Sequence, residues 1–543
     1  MRWFEMRLSF HFTLVLELVI SPGAAMLQQN GFGTKCADIT TTSLHIANAT
    51  VWFSQFVTAG TNLSLPENDP SCDHPYQLVS EDVCRITLRV DTSPTSSTNI
   101  EVWLPADWNG RFLSTGNGGL NGCVTYQDMA YTTSLGFAAV GTNNGHNGTS
   151  AAPLLDKPEI VNDFAWRSVH TGALIGKAIT ADFYGRGASK SYYLGCSTGG
   201  RQGMMSAQSF PDDFDGIVAG APALAFNSLS AWAGHFYDIT GPPDSSTFVP
   251  ESYWTTIIHN DIMRQCDELD GFKDAIIEDA SICNYDPTGL TCRPSQNQTS
   301  CLTKEQVETV RKAYSPLKFS NGTLIYPRLG LGAELNGSPA FFFTGQPFIL
   351  ASDWYRYAVY NDPDWDPTQL KESDYAYGIE KNPGHIQTFN GDLSSFRNRG
   401  GKLLHFHGQE DPLITCENSP WYYEHVSQTM ELSSAQLDSF YRFFRISGLS
   451  HCDGGAGAGL IGQSGQSNAG LDPDQNVLMS LVRWVEQGIP PDTILGTAVK
   501  PGTAPSSGGI GEIAFQRRHC RYPYRNAYTG KGDAADPGSW ACI

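Results

Sequence analysis

Gly195-Cys196-Ser197-Thr198-Gly199 is the run whose residue types and spacing most directly suggest chemistry. A serine between two glycines can occupy a sharp strand-to-helix turn, because the flanking positions have no side chains to strike neighbouring backbone. Such a turn lifts the hydroxyl above a sheet and aims the next N–H, that of Thr198, at the oxygen of an acyl group under attack. The same pattern also arises by chance in glycine-rich turns with an ordinary serine. Here residues 191–195 are strand-like and 201–210 have helical character, closed by Pro211, which is the context the chemistry needs.

A serine nucleophile needs a general base, and the base needs a carboxylate to orient it. On this type of turn the chain order is Ser, then Asp or Glu, then His. Gly408-Gln409-Glu410-Asp411-Pro412 follows a strand-like stretch, so Asp411 is the candidate acid and Glu410 its competitor. His451 follows the strand-like residues 440–446 and precedes Gly454-Gly455, which suits a base on a loop. His405 and His407 could bind a metal as a His-x-His pair, but they lie on one apolar strand without a matching ligand group and are read as structural. His170, mid-helix, is read as packed or satisfied by a partner.

Cys196 precedes the candidate nucleophile and Cys452 follows the candidate base. If Ser197 and His451 are within hydrogen-bond reach, their neighbours lie close together, and a disulfide requires Cα atoms about 4.4–6.8 Å apart. A Cys196–Cys452 bond is therefore expected; the alternative is that each cysteine pairs elsewhere.

The surrounding elements must bring these residues together. Strand-like segments at 100–105, 111–114, 136–141, 191–195 and 217–220 alternate with helical ones at 164–184 and 201–210, predicting a parallel sheet covered by helices. From about 230 to 390 the sequence is rich in Trp, Tyr, Pro, Asp and Asn. It then reverts to strands at 401–408 and 440–446 and a helix at 477–486. The reading is an α/β fold: a catalytic domain from 26–230 and 391–543, interrupted by a lid at 231–390. Two domains in series are the alternative, disfavoured because the chemistry draws on both sides of the insert.

Acidic residues outnumber basic ones 55 to 35 for a net charge of −20, which opposes nucleic-acid or anionic-membrane partners. Arg2 and Arg7, an apolar run at 8–21 and Gly23-Ala24-Ala25 predict a signal peptide over 1–25, with Glu5 and Glu17 untidy features of it. A membrane anchor is the alternative, but the run is short. Thirteen cysteines without a CxxC zinc pattern and five clean sequons at Asn48, Asn62, Asn147, Asn297 and Asn321 agree with a secreted, extracellular glycoprotein. Asn336-Gly337-Ser338, followed by Pro339, is a weaker sixth sequon.

With Gly195 to Gly203, Asp411 and His451-Cys452 in view, the chain resembles the fungal tannase and feruloyl esterase family. The type-B feruloyl esterases are the nearer subgroup, on Gly116-Asn117-Gly118-Gly119-Leu120, Gly141-Thr142-Asn143, Tyr193-Leu194-Gly195 and His519-Cys520-Arg521-Tyr522-Pro523. Tannases usually have Asp where Thr198 stands. The resemblance spans nearly the whole mature chain. It implies an α/β-hydrolase core with a lid. It also implies six disulfides: Cys36–Cys84, Cys72–Cys123, Cys196–Cys452, Cys266–Cys283, Cys292–Cys301 and Cys520–Cys542, with Cys416 left over.

Asp267, Asp270 and Asp274 cluster around Gly271, a density of hard oxygen ligands that suits Ca²⁺, although an isolated acidic run of this kind is more often a solvated loop. The resemblance implies a structural lid calcium on those carboxylates and the carbonyls of Phe272 and Ile276. Ala275 departs from the usual glycine there, and would be strained if the position needs positive φ.

The expected activity is hydrolysis of hydroxycinnamate esters (ferulic, coumaric, caffeic) on plant cell-wall polysaccharides or small phenolic esters, through an acyl-enzyme on Ser197. Thr198 and Gly118 are the expected backbone oxyanion donors, and no organic cofactor is expected. Gallate esters, the tannase reaction, are the alternative within this chemistry. A non-catalytic carbohydrate-binding secreted glycoprotein is the alternative outside it. The insert's aromatics Trp254, Phe341, Phe342, Phe343 and Trp354 suit core or ligand contact equally well.

Overall fold

The structure, a computed structural model, describes residues 31–294, 300–465, 467, 470–503 and 511–543. The expected leader and the Asn297 sequon lie outside these residues.

Nine strands form the central sheet: β1 (Ala49–Val57), β2 (Val83–Ser93), β3 (Ser96–Pro105), β4 (Arg111–Thr115), β5 (Ala138–Thr142), β6 (Lys190–Cys196), β7 (Gly216–Gly220), β8 (Lys402–Gly408) and β9 (Tyr441–Ile446). They lie side by side as β1-β2-β3-β5-β4-β6-β7-β8-β9. From β5 to β9 every pairing is parallel. The expected all-parallel sheet needs correction at its other end, where β1, β2, β3 and β5 pair antiparallel. The reason is local: only Pro94 and Thr95 separate β2 from β3, enough for a hairpin but far too few for the crossover a parallel pair requires.

Six helices matter for the site: α1 (Tyr126–Ser134), α2 (Ser168–Tyr184), α3 (Thr198–Ser209), α4 (Phe226–Thr240), α5 (Asn418–Met430) and α6 (Val477–Gln487). The central strands read as continuous apolar runs because both faces are covered; every residue of β5, β7 and β9 is buried. Side chains alternate between two cores. Ile217, Ala219, Leu403 and Phe443 pack with Phe183 of α2, Met204 of α3 and Val426 of α5. Val218, Leu404, Phe406 and Phe444 pack with Leu478, Leu481 and Trp484 of α6 on the other face.

Between β7 and β8 the chain leaves this sheet for residues 221–401. The excursion builds its own core around Trp232, Phe236, Trp254, Tyr326, Phe342 and Trp354, and that core includes Leu120, Phe164 and Ile414 from outside the insert. The insert therefore sits on the loops beyond the carboxyl ends of the parallel strands, where ligands bind in open α/β sheets. The helix expected over 164–184 opens as one π-turn at Asp163–Arg167 before α2. Two carbonyls within that turn, those of Ala165 and Phe164, accept from the buried Arg201 guanidinium at 2.6 and 3.4 Å. Among the described residues no helix is long and apolar enough to cross a membrane.

Candidate active site

Ser197 is the single residue between β6 and α3, with φ 64° and ψ −124°. Such backbone is costly for a residue with a Cβ, of order 1–3 kcal/mol, and persists only where its surroundings enforce it. Three glycines do so. A Cβ on Gly195 would lie 2.8 Å from the Gly199 carbonyl carbon, and one on Gly116 would lie 2.6 Å from Gly199 Cα. A Cβ on Gly200 would run into the Gly220 carbonyl oxygen at the end of β7. The Ser197 N–H donates to that same Gly220 oxygen at 3.0 Å, which fixes the turn to the neighbouring strand.

Asp411 lies just past β8 and His451 past β9, so two adjacent parallel strands deliver the candidate acid and base to one end of the sheet. His451 Nδ1 is 2.7 Å from Asp411 Oδ2. Asp411 is fully buried, and its Oδ1 accepts from the N–H groups of Leu413 and Ile414, both at 2.9 Å. Burial by itself would raise the Asp411 pKa; the facing His451 charge and the hydrogen bonds from His407 and His451 outweigh it, holding the carboxyl well below its ordinary range. Burial likewise opposes charge on His451, and the Asp411 carboxylate overcomes it, so the imidazole is held above its usual value. Glu410, the sequence competitor, turns the other way: its Oε2 accepts from Asn336 Nδ2 of the insert at 2.7 Å.

All six expected disulfides are present, and Cys416 is a buried free thiol. Cys196–Cys452 places the neighbours of Ser197 and His451 5.9 Å apart at Cα, although they stand 256 positions apart in sequence.

Ser197 and His451 open into a cavity of about 420 Å³, within the range of small-molecule sites. Its apolar lining includes Ala223, Phe226, Leu229, Ala233, Phe348 and Leu350. Its polar lining includes Asn121, Gln127, Asp128, Asp453 and Ser464. Burial pushes the Asp128 carboxyl up to about 6, against the Gly465 N–H that donates to it at 2.8 Å. Thr198 and Gly118 both line the cavity. The neighbouring amides are committed elsewhere: Gly116 N–H to Leu194 O and Asn117 N–H to Gln202 Oε1, each at 3.0 Å. The Thr198 hydroxyl donates to Gly119 O at 2.7 Å, tying the Gly118 loop to the first turn of α3.

Of the insert aromatics singled out in the sequence, Trp254, Phe342, Phe343 and Trp354 are buried in its core, Phe341 is exposed, and none lines the cavity. Phe226, Leu229 and Phe348 take that place; the apolar stripe of α4 was the one available signal for the first two. His170 Nδ1 is 2.8 Å from Asp213 Oδ2. Sequence reasoning missed His407, whose Nε2 lies 3.1 Å from Asp411 Oδ2. Its place four residues before the acid, at a strand end, was the signal.

These features can be set beside known proteins. The sequence pattern described as tannase and feruloyl esterase matches residues 84–346 and 348–543. The chain belongs to the tannase and feruloyl esterase family. It is 48% identical over 529 residues to a probable feruloyl esterase B-2 of Aspergillus terreus, covering 97% of this chain and 99% of that one. It is 48% identical to feruloyl esterase C of Talaromyces stipitatus, over 95% and 96% of the two chains. The crystal structure of feruloyl esterase B from Aspergillus oryzae superimposes with a TM-score of 0.91 at 46% identity, covering 94% of this chain and all of that one. The fold is the α/β-hydrolase fold, and the chain is a carboxylic ester hydrolase of this family.

Asp267 and Asp270 are buried, and Asp270 Oδ2 has no hydrogen-bond partner, an orphan that a hard cation would satisfy. Asp274 turns Oδ2 to Arg517 at 3.0 Å, and among the described residues no three His, Cys, Asp or Glu side chains are arranged to hold a metal. The oxygen chemistry of these donors fits Ca²⁺. Ala275 has φ 63° and donates its N–H to both Asp267 oxygens, at 3.1 and 3.2 Å. The Asn48, Asn62, Asn147 and Asn321 sequons are exposed.

Proposed function

We propose that this chain hydrolyses esters of hydroxycinnamic acids such as ferulic, coumaric and caffeic acid, released from plant cell-wall polysaccharides or small phenolic esters. The observation that carries the reading is the Asp411–His451 pair, at 2.7 Å, opening with Ser197 onto a cavity lined in part by apolar side chains. The planar aromatic acid rests against Phe226, Leu229 and Phe348, and the alcohol lies toward the polar lining residues.

His451 takes the Ser197 proton as Oγ attacks the ester carbonyl, forming the tetrahedral adduct. Asp411, held ionised, stabilises the imidazolium and keeps its tautomer. The Thr198 and Gly118 N–H groups receive the oxyanion. His451 then returns the proton to the leaving alcohol, and the acyl group stays on Ser197. Water, deprotonated by His451, attacks that acyl-enzyme and releases the acid, restoring the Ser197 hydroxyl.

The apolar lining around Phe226, Leu229 and Phe348 favours cinnamates over gallate, whose three ring hydroxyls would need polar partners there. Purified enzyme is expected to cleave methyl ferulate much faster than methyl gallate, and the reverse preference overturns the substrate assignment. Ser197→Ala is expected to lower kcat by at least about 10³-fold; a variant that keeps its rate removes the mechanism.

We further propose that the protein is secreted and glycosylated, a reading supported by six disulfides and exposed sequons. The Asp267, Asp270 and Asp274 carboxylates, with the carbonyls of Phe272 and Ile276, would hold a structural Ca²⁺, which neutralises the loop and plays no part in ester cleavage. Metal analysis of secreted enzyme, with melting before and after EDTA, tests this: bound calcium and a lower Tm on chelation are expected.

A further inference from the structure

The His405-x-His407 pair has no part in the reaction as written, yet both imidazoles are fully buried. Ser419 of α5 sits between them, its Oγ 2.6 Å from His407 Nδ1 and 2.7 Å from His405 Nε2. His405 Nδ1 lies 2.9 Å from the Tyr441 hydroxyl on β9. At the other end His407 Nε2 faces Asp411 Oδ2 at 3.1 Å and the Ile414 carbonyl at 2.9 Å.

Hydrogen positions follow from the partners. An ionised Asp411 and a carbonyl can only accept, so His407 Nε2 carries a proton, and in the neutral imidazole Nδ1 is then a lone pair. Nδ1 therefore receives the Ser419 hydroxyl hydrogen. The Ser419 oxygen in turn accepts from His405 Nε2–H, and His405 Nδ1 accepts from Tyr441 O–H. Every bond points the same way, from Tyr441 toward Asp411. Reversing one link sets two lone pairs or two hydrogens against each other in a site where water cannot substitute.

We infer that His407 is a positioning residue for the acid, donating to the same Asp411 oxygen that His451 uses, and that Ser419, His405 and Tyr441 lock it in the donating tautomer. This rests on Asp411 being the acid that orients His451. The N–H groups of Leu413 and Ile414 occupy Oδ1, and His407 and His451 share Oδ2. The carboxylate is thus fixed by four donors, and the strength with which Oδ2 holds the imidazolium depends on His407. The other titratable groups around this chain of bonds are Tyr422 and Tyr423 of α5 beside Tyr441, Tyr326 and Cys416 near Asp411, and Asp453 near His451. Burial keeps His405 neutral, well below the ordinary imidazole pKa, as a one-way relay requires.

The test compares His407→Leu, His407→Gln and Ser419→Ala with the wild type in kcat, KM, the pH profile of kcat/KM and thermal melting. His407→Leu frees Oδ2 to bind the His451 proton more strongly, so the acid limb moves up by about half a pH unit. Its kcat falls roughly tenfold, as for other groups that support a catalytic residue from behind, with KM within about twofold. His407→Gln, whose amide can still donate, regains most of kcat, and Ser419→Ala falls between. A folded His407→Leu with wild-type kcat and acid limb overturns the inference. So do Leu and Gln variants that lose activity equally and only in step with Tm. If His407→Leu does not fold, Ser419→Ala decides, and wild-type kcat and acid limb in it count against the relay. Asp411→Asn is measured in parallel: retention of its rate would remove the triad reading itself, an outcome distinct from failure of the relay.

Discussion

Glu410 and Asp411 are neighbouring carboxylates that the fold sends to opposite ends of the titration scale. Asp411 meets four donors and is held low, so the stability it contributes is present above the unfolded carboxyl pKa and is lost only as pH falls through its depressed folded value. Burial pushes Glu410 up to about 7, opposed by Asn336 and assisted by Glu334. A raised acid has the opposite sign: its contribution is full below the unfolded value, near 4.3, and is lost as pH rises toward 7. Glu410→Gln is therefore expected to flatten the fall in Tm between pH 5 and 8 while changing little at pH 4.5, as melting across that range would show. His451 is raised by Asp411, so the acid limb of kcat/KM on a cinnamate ester is expected above the ordinary imidazole pKa of about 6.5; a limb below that value would contradict the geometry.

At the scale of elements, the elbow is set by contact between α3 and the ends of β6 and β7. Gly200 presses against the Gly220 carbonyl oxygen, a contact that backbone cannot yield without displacing the strand. Gly200→Ala is expected to cost at least about 3 kcal/mol, with loss of soluble enzyme on expression. The acidic loop gives the opposite expectation. Ala275 sits at φ 63°, where a Cβ costs roughly 1 kcal/mol, and its side chain is exposed. Ala275→Gly is expected to stabilise the fold by up to about 1 kcal/mol, read from urea unfolding with kcat unchanged; part of the gain is offset by the freer unfolded chain.

For the whole molecule, the decisive link is Cys196–Cys452. It closes a loop spanning 256 positions that contains the entire insert. Replacing both cysteines by serine is expected to remove about 2–4 kcal/mol of stability. It should also lower kcat more than tenfold at temperatures where the variant is still folded, because the loop that carries His451 is then held only by Asp411, the Gln463 amide on the Cys452 carbonyl and a few backbone bonds. Differential scanning calorimetry paired with initial rates separates the two effects. The C-terminal strand Ile513–Cys520 adds a second tie: its Arg517 pairs with Glu278 and Asp274 of the insert and stacks on Trp540.

What could be read from the chain alone was what depends on short segments. Gly195 to Gly200 announces a turn because only glycine tolerates those contacts, and the apolar runs of β5, β7 and β8 announce buried strands because both their faces are covered. The order of Ser197, Asp411 and His451, with cysteines beside two of them, was enough to propose the triad. Three things were decided only in three dimensions. Register and sheet order set Asp411 toward His451 and Glu410 toward Asn336, a choice that adjacent acids in a sequence cannot reveal. The insert's packing sent Trp254 and Trp354 into a core and left Phe226 and Phe348 facing the cavity, since burial depends on neighbours distant in the chain. The pairing of β8 with β9 and the docking of α5 joined His405, Ser419 and Tyr441 behind His407. A hydrogen-bond direction is a property of several partners at once, and those partners meet only when the sheet has closed.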